Sequence, residues 1–143
     1  MNLAKRFVVA LVFVLLLGVL VHAQKGPSDK DLGVPIYPKA TFVQSFTEGP
    51  AARHLFASND VTISVARFYE RKTGKKPEHT RDPEGMEIYR FVLKSDKGAA
   101  VPDLEVVVSH FPGGSLIPDE RGQPRRYSTT ILISKSKKTR QAH

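Results

Sequence analysis

Ala57-Ser58-Asn59-Asp60-Val61-Thr62-Ile63-Ser64-Val65-Ala66-Arg67-Phe68-Tyr69-Glu70-Arg71-Lys72-Thr73-Gly74 is the one long stretch in the body of the chain that carries helical signals. Ser58, Asn59 and Asp60 have short side-chain oxygens that suit the unpaired amides of a first helical turn, and Gly74 suits the end. Val61, Val65, Phe68 and Tyr69 recur at helical spacing, which predicts an apolar face. Arg67, Glu70, Arg71 and Lys72 supply a charged face. A single helix of this kind needs a sheet to lie on.

The flanking sequence supplies one. Thr41 to Thr47 and Ala52 to Ala57 surround the turn residues Glu48-Gly49-Pro50 and predict a hairpin leading into the helix. Lys75 to Asp82 is charged and reads as loop, with at most a short strand near His79 and Thr80. Met86 to Leu93 predicts a strand whose two faces are both mixed. Leu104 to Phe111 contains Val106, Val107 and Val108, stiff at the first side-chain torsion, and is expected at the centre of the sheet. Val107→Asp is therefore expected to unfold the domain. Pro112 to Arg125 reads as a long irregular loop, and long loops are frequent homes of function. Tyr127 to Ser134 predicts a last strand, placed near a sheet edge because its serines and threonines alternate only in part. The sum is an α+β domain, an antiparallel sheet of about five strands in the order β-β-α-β-β-β, covered on one face by a single helix.

Ahead of this domain, Lys5 and Arg6 precede an apolar run from Phe7 to Val21 that ends in Val21-His22-Ala23. A basic start, an apolar middle and small residues before a cut predict a signal peptide over residues 1–23. The run is about 15 residues, short of the roughly 20 that cross a bilayer. Export with cleavage near Ala23 is the expectation, and an inner-membrane anchor the alternative. Residues 24–31 read as a flexible lead-in, 32–134 as the domain, and 135–143 as a basic mobile tail.

The 143 residues carry a net charge of +8. Without Lys5 and Arg6, 20 basic residues stand against 14 acidic ones, a net +6. An exported protein of this charge is expected to meet an anionic envelope component rather than nucleic acid. Cysteine is absent, so disulfides, thiolate metal sites and a cysteine nucleophile are excluded. A monomer without cofactor is expected.

Gly33-Val34-Pro35-Ile36-Tyr37-Pro38 predicts an extended apolar strap, because two prolines three residues apart hold the backbone open. With Ala57-Ser58-Asn59-Asp60 at the helix start and Phe68-Tyr69-Glu70-Arg71-Lys72 near its end, this strap resembles a group of small exported bacterial domains of unknown function. In that group a strap of the form GVPIYPGA precedes a helix ending in FYKK and a β-rich remainder. The resemblance covers about the first half of the chain after the signal and departs from the pattern at Lys39, where the group has glycine. It implies export and fold, and it supplies no catalytic residues.

Candidate chemistry is sparse. His54, His79 and His110 lack the close spacing of metal ligands, so no metal site is expected. Asp119 and Glu120 could form a carboxylate pair, but the neighbouring arginines would hold both ionised. Ser115, after Gly113 and Gly114, lacks the setting of a hydrolase nucleophile. Arg121, Arg125 and Arg126, followed by Tyr127, form the basic cluster expected to bind an anionic ligand. The leading expectation is an exported, non-catalytic domain that binds or scaffolds in the bacterial envelope. A small envelope hydrolase using a loop carboxylate and a histidine is the alternative, as is a membrane-tethered interaction domain if the signal is retained.

Overall fold

The computed structural model describes residues 25–119 and 121–137. The expected signal peptide, Glu120 of the carboxylate pair and the expected tail beyond residue 137 lie outside the described residues. Among the described residues, eight strands and two helices follow one another as α1 (Asp29–Leu32), β1 (Thr41–Glu48), β2 (Ala51–Ser58), α2 (Thr62–Thr73), β3 (Glu78–Arg81), β4 (Glu87–Lys94), β5 (Leu104–His110), β6 (Ser115–Pro118), β7 (Pro124–Tyr127) and β8 (Thr129–Ser136). Six of the strands form one antiparallel sheet in the order β1-β2-β8-β5-β4-β3, while β6 and β7 pair only with each other. The α+β class, the antiparallel sheet and the covering helix are as the sequence predicts. The five expected strands are β1, β2, β4, β5 and β8, and β3 adds a four-residue edge.

Two elements differ in place. The last strand is not at an edge: β8 lies between β2 and β5, and Thr129 to Ser134 are all buried. Its hydroxyls are accommodated inside the sheet, because Thr129 donates to the Asp60 carbonyl at 2.8 Å. The long loop is not irregular either. Ser115↔Tyr127 and Ile117↔Arg125 pair across a hairpin that the sequence did not reveal, since four-residue strands are too short for an alternating pattern to register. Gly114 makes this hairpin possible. It has φ +78°, and a Cβ there would meet the Tyr127 carbonyl oxygen at 2.8 Å.

Pairing across the sheet assigns the two faces. Phe56↔Ile131, Ile131↔Val108 and Val108↔Tyr89 stand opposite one another on one face. Together with Phe91, Val106 and Ile133 they form the main core, into which α2 inserts Val65, Ala66 and Tyr69. Burial of such side chains stabilises by about 1.5–3 kcal/mol each, so this one face holds the helix to the sheet. Leu55, Val107 and Leu132 belong to the other face, with Val43, Phe46 and Ile88 partly buried around them. That face also carries charge: Arg90 donates to Glu105 at 2.9 Å and lies directly across from Val107. Val107 is buried in this smaller cluster, across from a guanidinium, whereas Val106 belongs to the main core under the helix.

The helix starts later than expected. Val61 is the residue before its first turn and offers no side-chain cap. Ser58 closes β2, and its hydroxyl accepts from the Asp60 amide at 3.1 Å, tying the connecting turn rather than the helix. Gly74 ends the helix in the left-handed region, its amide bonded to the Glu70 carbonyl at 2.9 Å. Val61 does not join the apolar face.

The strap closes over the core as expected, with Val34 buried and Ile36 and Tyr37 packed on it. Its anchor lies in the lead-in, which is not featureless. Ser28 and Asp31 form a capping box around α1, Gly33 ends it with φ 76°, and Asp29 accepts from the Ile36 amide at 2.9 Å. Lys39 sits in a turn closed by the Ala40 amide and the Tyr37 carbonyl at 2.9 Å, and among the described residues only glycines have positive φ. Lysine thus fits where the resembled group has glycine. At the far end, β8 runs two residues past Ser134, and Lys135 donates to the Asp31 carbonyl at 2.7 Å, so this part of the expected tail belongs to the domain.

Candidate functional site

The residues singled out from the sequence do not converge. Arg125 and Arg126 are neighbours on β7 and point to opposite faces of the hairpin, Arg125 across from Ile117 and Arg126 across from Leu116. Arg125 is paired with Asp119 at 2.9 Å, and Arg126 donates to the Gly113 carbonyl. Tyr127 shares the face of Arg125 and is half-buried, while Arg121 lies in the turn between the strands. Two of the three guanidiniums thus hold the hairpin together.

Asp119 is the centre of that turn. Its carboxylate accepts from the Arg121 amide at 2.9 Å, the Gln123 amide at 3.0 Å and Arg125 Nε at 2.9 Å. The Gln123 amide, followed by Arg125, holds its pKa below the usual carboxylate range. A carboxylate so committed forms a loop and is not poised to exchange protons.

The histidines are also separate. His54 on β2 stands across from Ile133, whereas Ser109, next to His110 on β5, stands across from Thr130. One strand, β8, and three to four residues along it divide them, which is about 10 Å or more along the strand direction alone. His110 bonds to the Ser128 carbonyl at 2.9 Å, and His79 stacks on Tyr89 with centroids 4.2 Å apart. Among the described residues no group of three or more His, Asp or Glu side chains could hold a metal ion.

His54 does carry a pH signature. Burial, then the nearby Lys135, lowers its pKa from the ordinary value of 6.5, and its Nδ1 lies 2.6 Å from Ser45 Oγ. The folded state therefore takes up the proton less readily than the unfolded state. Stability is full above the ordinary histidine range and declines as the pH falls through 6.5 toward the lower folded value. The melting temperature is expected to drop between pH 7 and pH 5, and to drop less in His54→Gln. Equal slopes in the two proteins would show that another group is responsible.

A different arrangement has the properties of a site. Where the strap crosses the exposed side of α2, a hollow of about 330 Å³ is lined by Tyr37, Pro38, Lys39, Ser64, Arg67, Phe68 and Arg71. That is the lower end of the range for small-ligand pockets. The sequence builds it in steps. Pro35 lies in the extended part of the strap and Pro38 in the turn that carries Lys39, Phe68 and Tyr37 meet edge to face with centroids 5.2 Å apart, and Ser64, Arg67 and Arg71 rise from one side of the helix at spacings of three and four. Arg67 and Arg71 have no ion-pair partner among the described residues, in contrast to Arg125 and Arg90. An acid, Asp60, bonds to two of the lining residues. It accepts a short hydrogen bond from the Tyr37 hydroxyl and lies 3.6 Å from Lys39 Nζ. The bond to Asp60 raises the pKa of Tyr37, so this hydroxyl stays protonated and holds the strap in place. Lys39 is largely exposed, and its pair with Asp60 is weak enough to be exchanged for a ligand.

Compared with protein-family models, with curated proteins and with solved structures, the chain gives no match. No helix among the described residues is long and apolar enough to cross a membrane.

What the hollow can do follows from its groups. Two unpaired guanidiniums and an ammonium offer paired donors to a phosphate, sulfate or carboxylate, Ser64 offers a hydroxyl, and the two rings offer a flat apolar wall. This constellation was within reach of the sequence as the spacing Ser64, Arg67, Arg71. In the sequence it looks like an ordinary charged, solvated helix face, and the strap turns it into a cavity.

Proposed function

We propose that this protein is an exported, non-catalytic domain of the bacterial envelope that binds an anionic envelope component in the hollow between the strap and α2. The observation that carries the reading is the unpaired Arg67 and Arg71 beside Lys39, around a cavity walled by Tyr37 and Phe68. Charge left unpaired at a concave place attracts a partner of opposite sign. Export is supported by the basic start, the apolar run and the small residues through Ala23. The absence of catalysis is argued from Asp119, which is spent on its turn, and from the separation of His54 and His110.

Retention on washed envelopes tests this. The chain, expressed in an exporting bacterium, is expected to remain on envelopes at low salt, and Arg67→Gln with Arg71→Gln to reduce the bound fraction about tenfold. Both residues are exposed, so the melting temperature should not change. Unaltered retention in the double variant would refute the hollow as the binding site.

A further inference from the structure

We propose that the hollow and the start of α2 form a membrane-docking surface, with Lys39, Arg67 and Arg71 on the phosphates of an anionic phospholipid and Val61 and Ile63 entering the lipid interface. The inference rests on the hollow being the binding site and names its ligand. Val61 and Ile63 are 61% and 42% exposed, two of the four large hydrophobic side chains that the described residues leave in water. The other two, Val101 and Leu116, lie in a loop and on the hairpin. Leu116 stands across from Arg126, whose guanidinium is taken by the Gly113 carbonyl, whereas Val61 and Ile63 adjoin Arg67 and Arg71, which have no ion-pair partner among the described residues.

Their placement on the helix is what makes a surface. Ile63, Arg67 and Arg71 follow one another at intervals of four, so they form one row along the side of α2 turned away from Val65, Ala66 and Tyr69. Val61 stands three residues before Ser64 and seven before Phe68, on the row that borders the hollow. Val61 and Ile63, two residues apart, therefore lie on opposite flanks of the exposed half of the helix, with Arg67 and Arg71 between them. From Val61 to Lys76 the chain has five cations, Arg67, Arg71, Lys72, Lys75 and Lys76, against one acid, Glu70. That balance favours an anionic surface over a neutral one.

The occupant follows from both halves. A soluble anion would satisfy the arginines and leave Val61 and Ile63 in water, and an anionic polysaccharide would do the same. A phospholipid surface takes up both, the phosphates in the hollow and the aliphatics among the upper acyl carbons. The helix has 12 residues, about 18 Å, so it lies on the surface and does not cross it. The strap adds Lys39 from the opposite wall, so a headgroup would be held from two sides.

The test is co-sedimentation of the full chain, in the form that an exporting bacterium yields, with vesicles of phosphatidylcholine alone or with a third of phosphatidylglycerol. Wild type is expected to prefer the anionic vesicles at least about tenfold at low salt and to lose the preference at high salt. Arg67→Gln with Arg71→Gln should remove most of it. Val61→Ser with Ile63→Ser should lower binding about fivefold at unchanged charge and unchanged melting temperature. Excess glycerol phosphate in solution should not displace the protein. Equal binding to the two vesicle types, unchanged binding of the serine variant, or displacement by glycerol phosphate would each overturn the proposal. If envelope retention still falls in the glutamine variant while vesicle preference is missing, the lipid is wrong and the hollow stands. If retention does not fall, the hollow itself is wrong.

Discussion

Val106→Asp is expected to leave the chain without a cooperative thermal transition. Val106 is fully buried on the helix-facing side of β5, between Phe91 on β4 and Ile133 on β8, in a cluster that contains no cation. A carboxylate placed there has neither water nor a partner, and the loss is about 4 kcal/mol or more. Against a total stability of about 5–15 kcal/mol for a domain, that removes most or all of the margin. Val107→Asp, one residue on, makes the contrast. Its side chain reaches the other face, directly across from Arg90, which already pairs with Glu105 and Glu78. A new carboxylate can join that network, so Val107→Asp is expected to cost less and to keep a transition. Circular dichroism melts of the two variants decide the matter. A Val107 variant damaged as badly as the Val106 variant would show that the two faces are assigned wrongly.

Tyr69→Ala is the second large effect. Tyr69 is fully buried and links the site to the sheet through ring contacts: its centroid lies 5.1 Å from Phe68 and 6.1 Å from Phe91, and Phe68 in turn lies 5.2 Å from Tyr37. Burial pushes the pKa of its hydroxyl up, so the side chain acts as a neutral ring in the core. Removing it leaves a cavity and costs about 3–5 kcal/mol, which for a domain of this size lowers the melting temperature by roughly 15 °C or more. The consequence extends to function. Phe68 loses the ring that backs it, the strap loses Phe68, and the hollow loses its wall. Envelope retention is expected to fall at temperatures where the variant is still folded. Tyr69→Phe, which keeps the ring, should retain both stability and retention to a large extent. A Tyr69→Ala protein that melts like wild type would place the core elsewhere.

Both effects follow from side chains whose burial the sequence announced unequally. Val65 and Tyr69 were legible as the apolar face of the helix, because a period of 3.6 residues marks them. Val106 was not separable from Val107, because three valines in a row show no alternation. Which of them meets the helix depends on the register with β4 and β8. Val61 was assigned to the apolar face by its spacing and is exposed instead, because the helix begins one residue after it. β8 looked like an edge strand by composition and is central, its Thr129 hydroxyl matched to the Asp60 carbonyl 69 residues earlier. A partner so distant in the chain leaves no local mark.

The candidate site divides in the same way. The basic loop around Arg121, Arg125 and Arg126 was visible as a run of like charge. What was invisible is that β6 and β7 pair, sending two arginines to opposite faces and giving one of them to Asp119. Arg67 and Arg71 were visible too, as the polar side of a helix.

By itself the sequence determined the export signal as an expectation, the α+β class, the covering helix, the extended strap and the absence of cysteine chemistry. These depend on short-range periodicity, on the fixed backbone angle of proline and on composition, all of which are local. Only the tertiary structure decided which valine faces the core, where β8 lies, and that the unpaired cations meet the aromatic wall of the strap. Those outcomes depend on strand order and register, which are set by contacts between residues far apart in the chain and are therefore written in no single stretch of it.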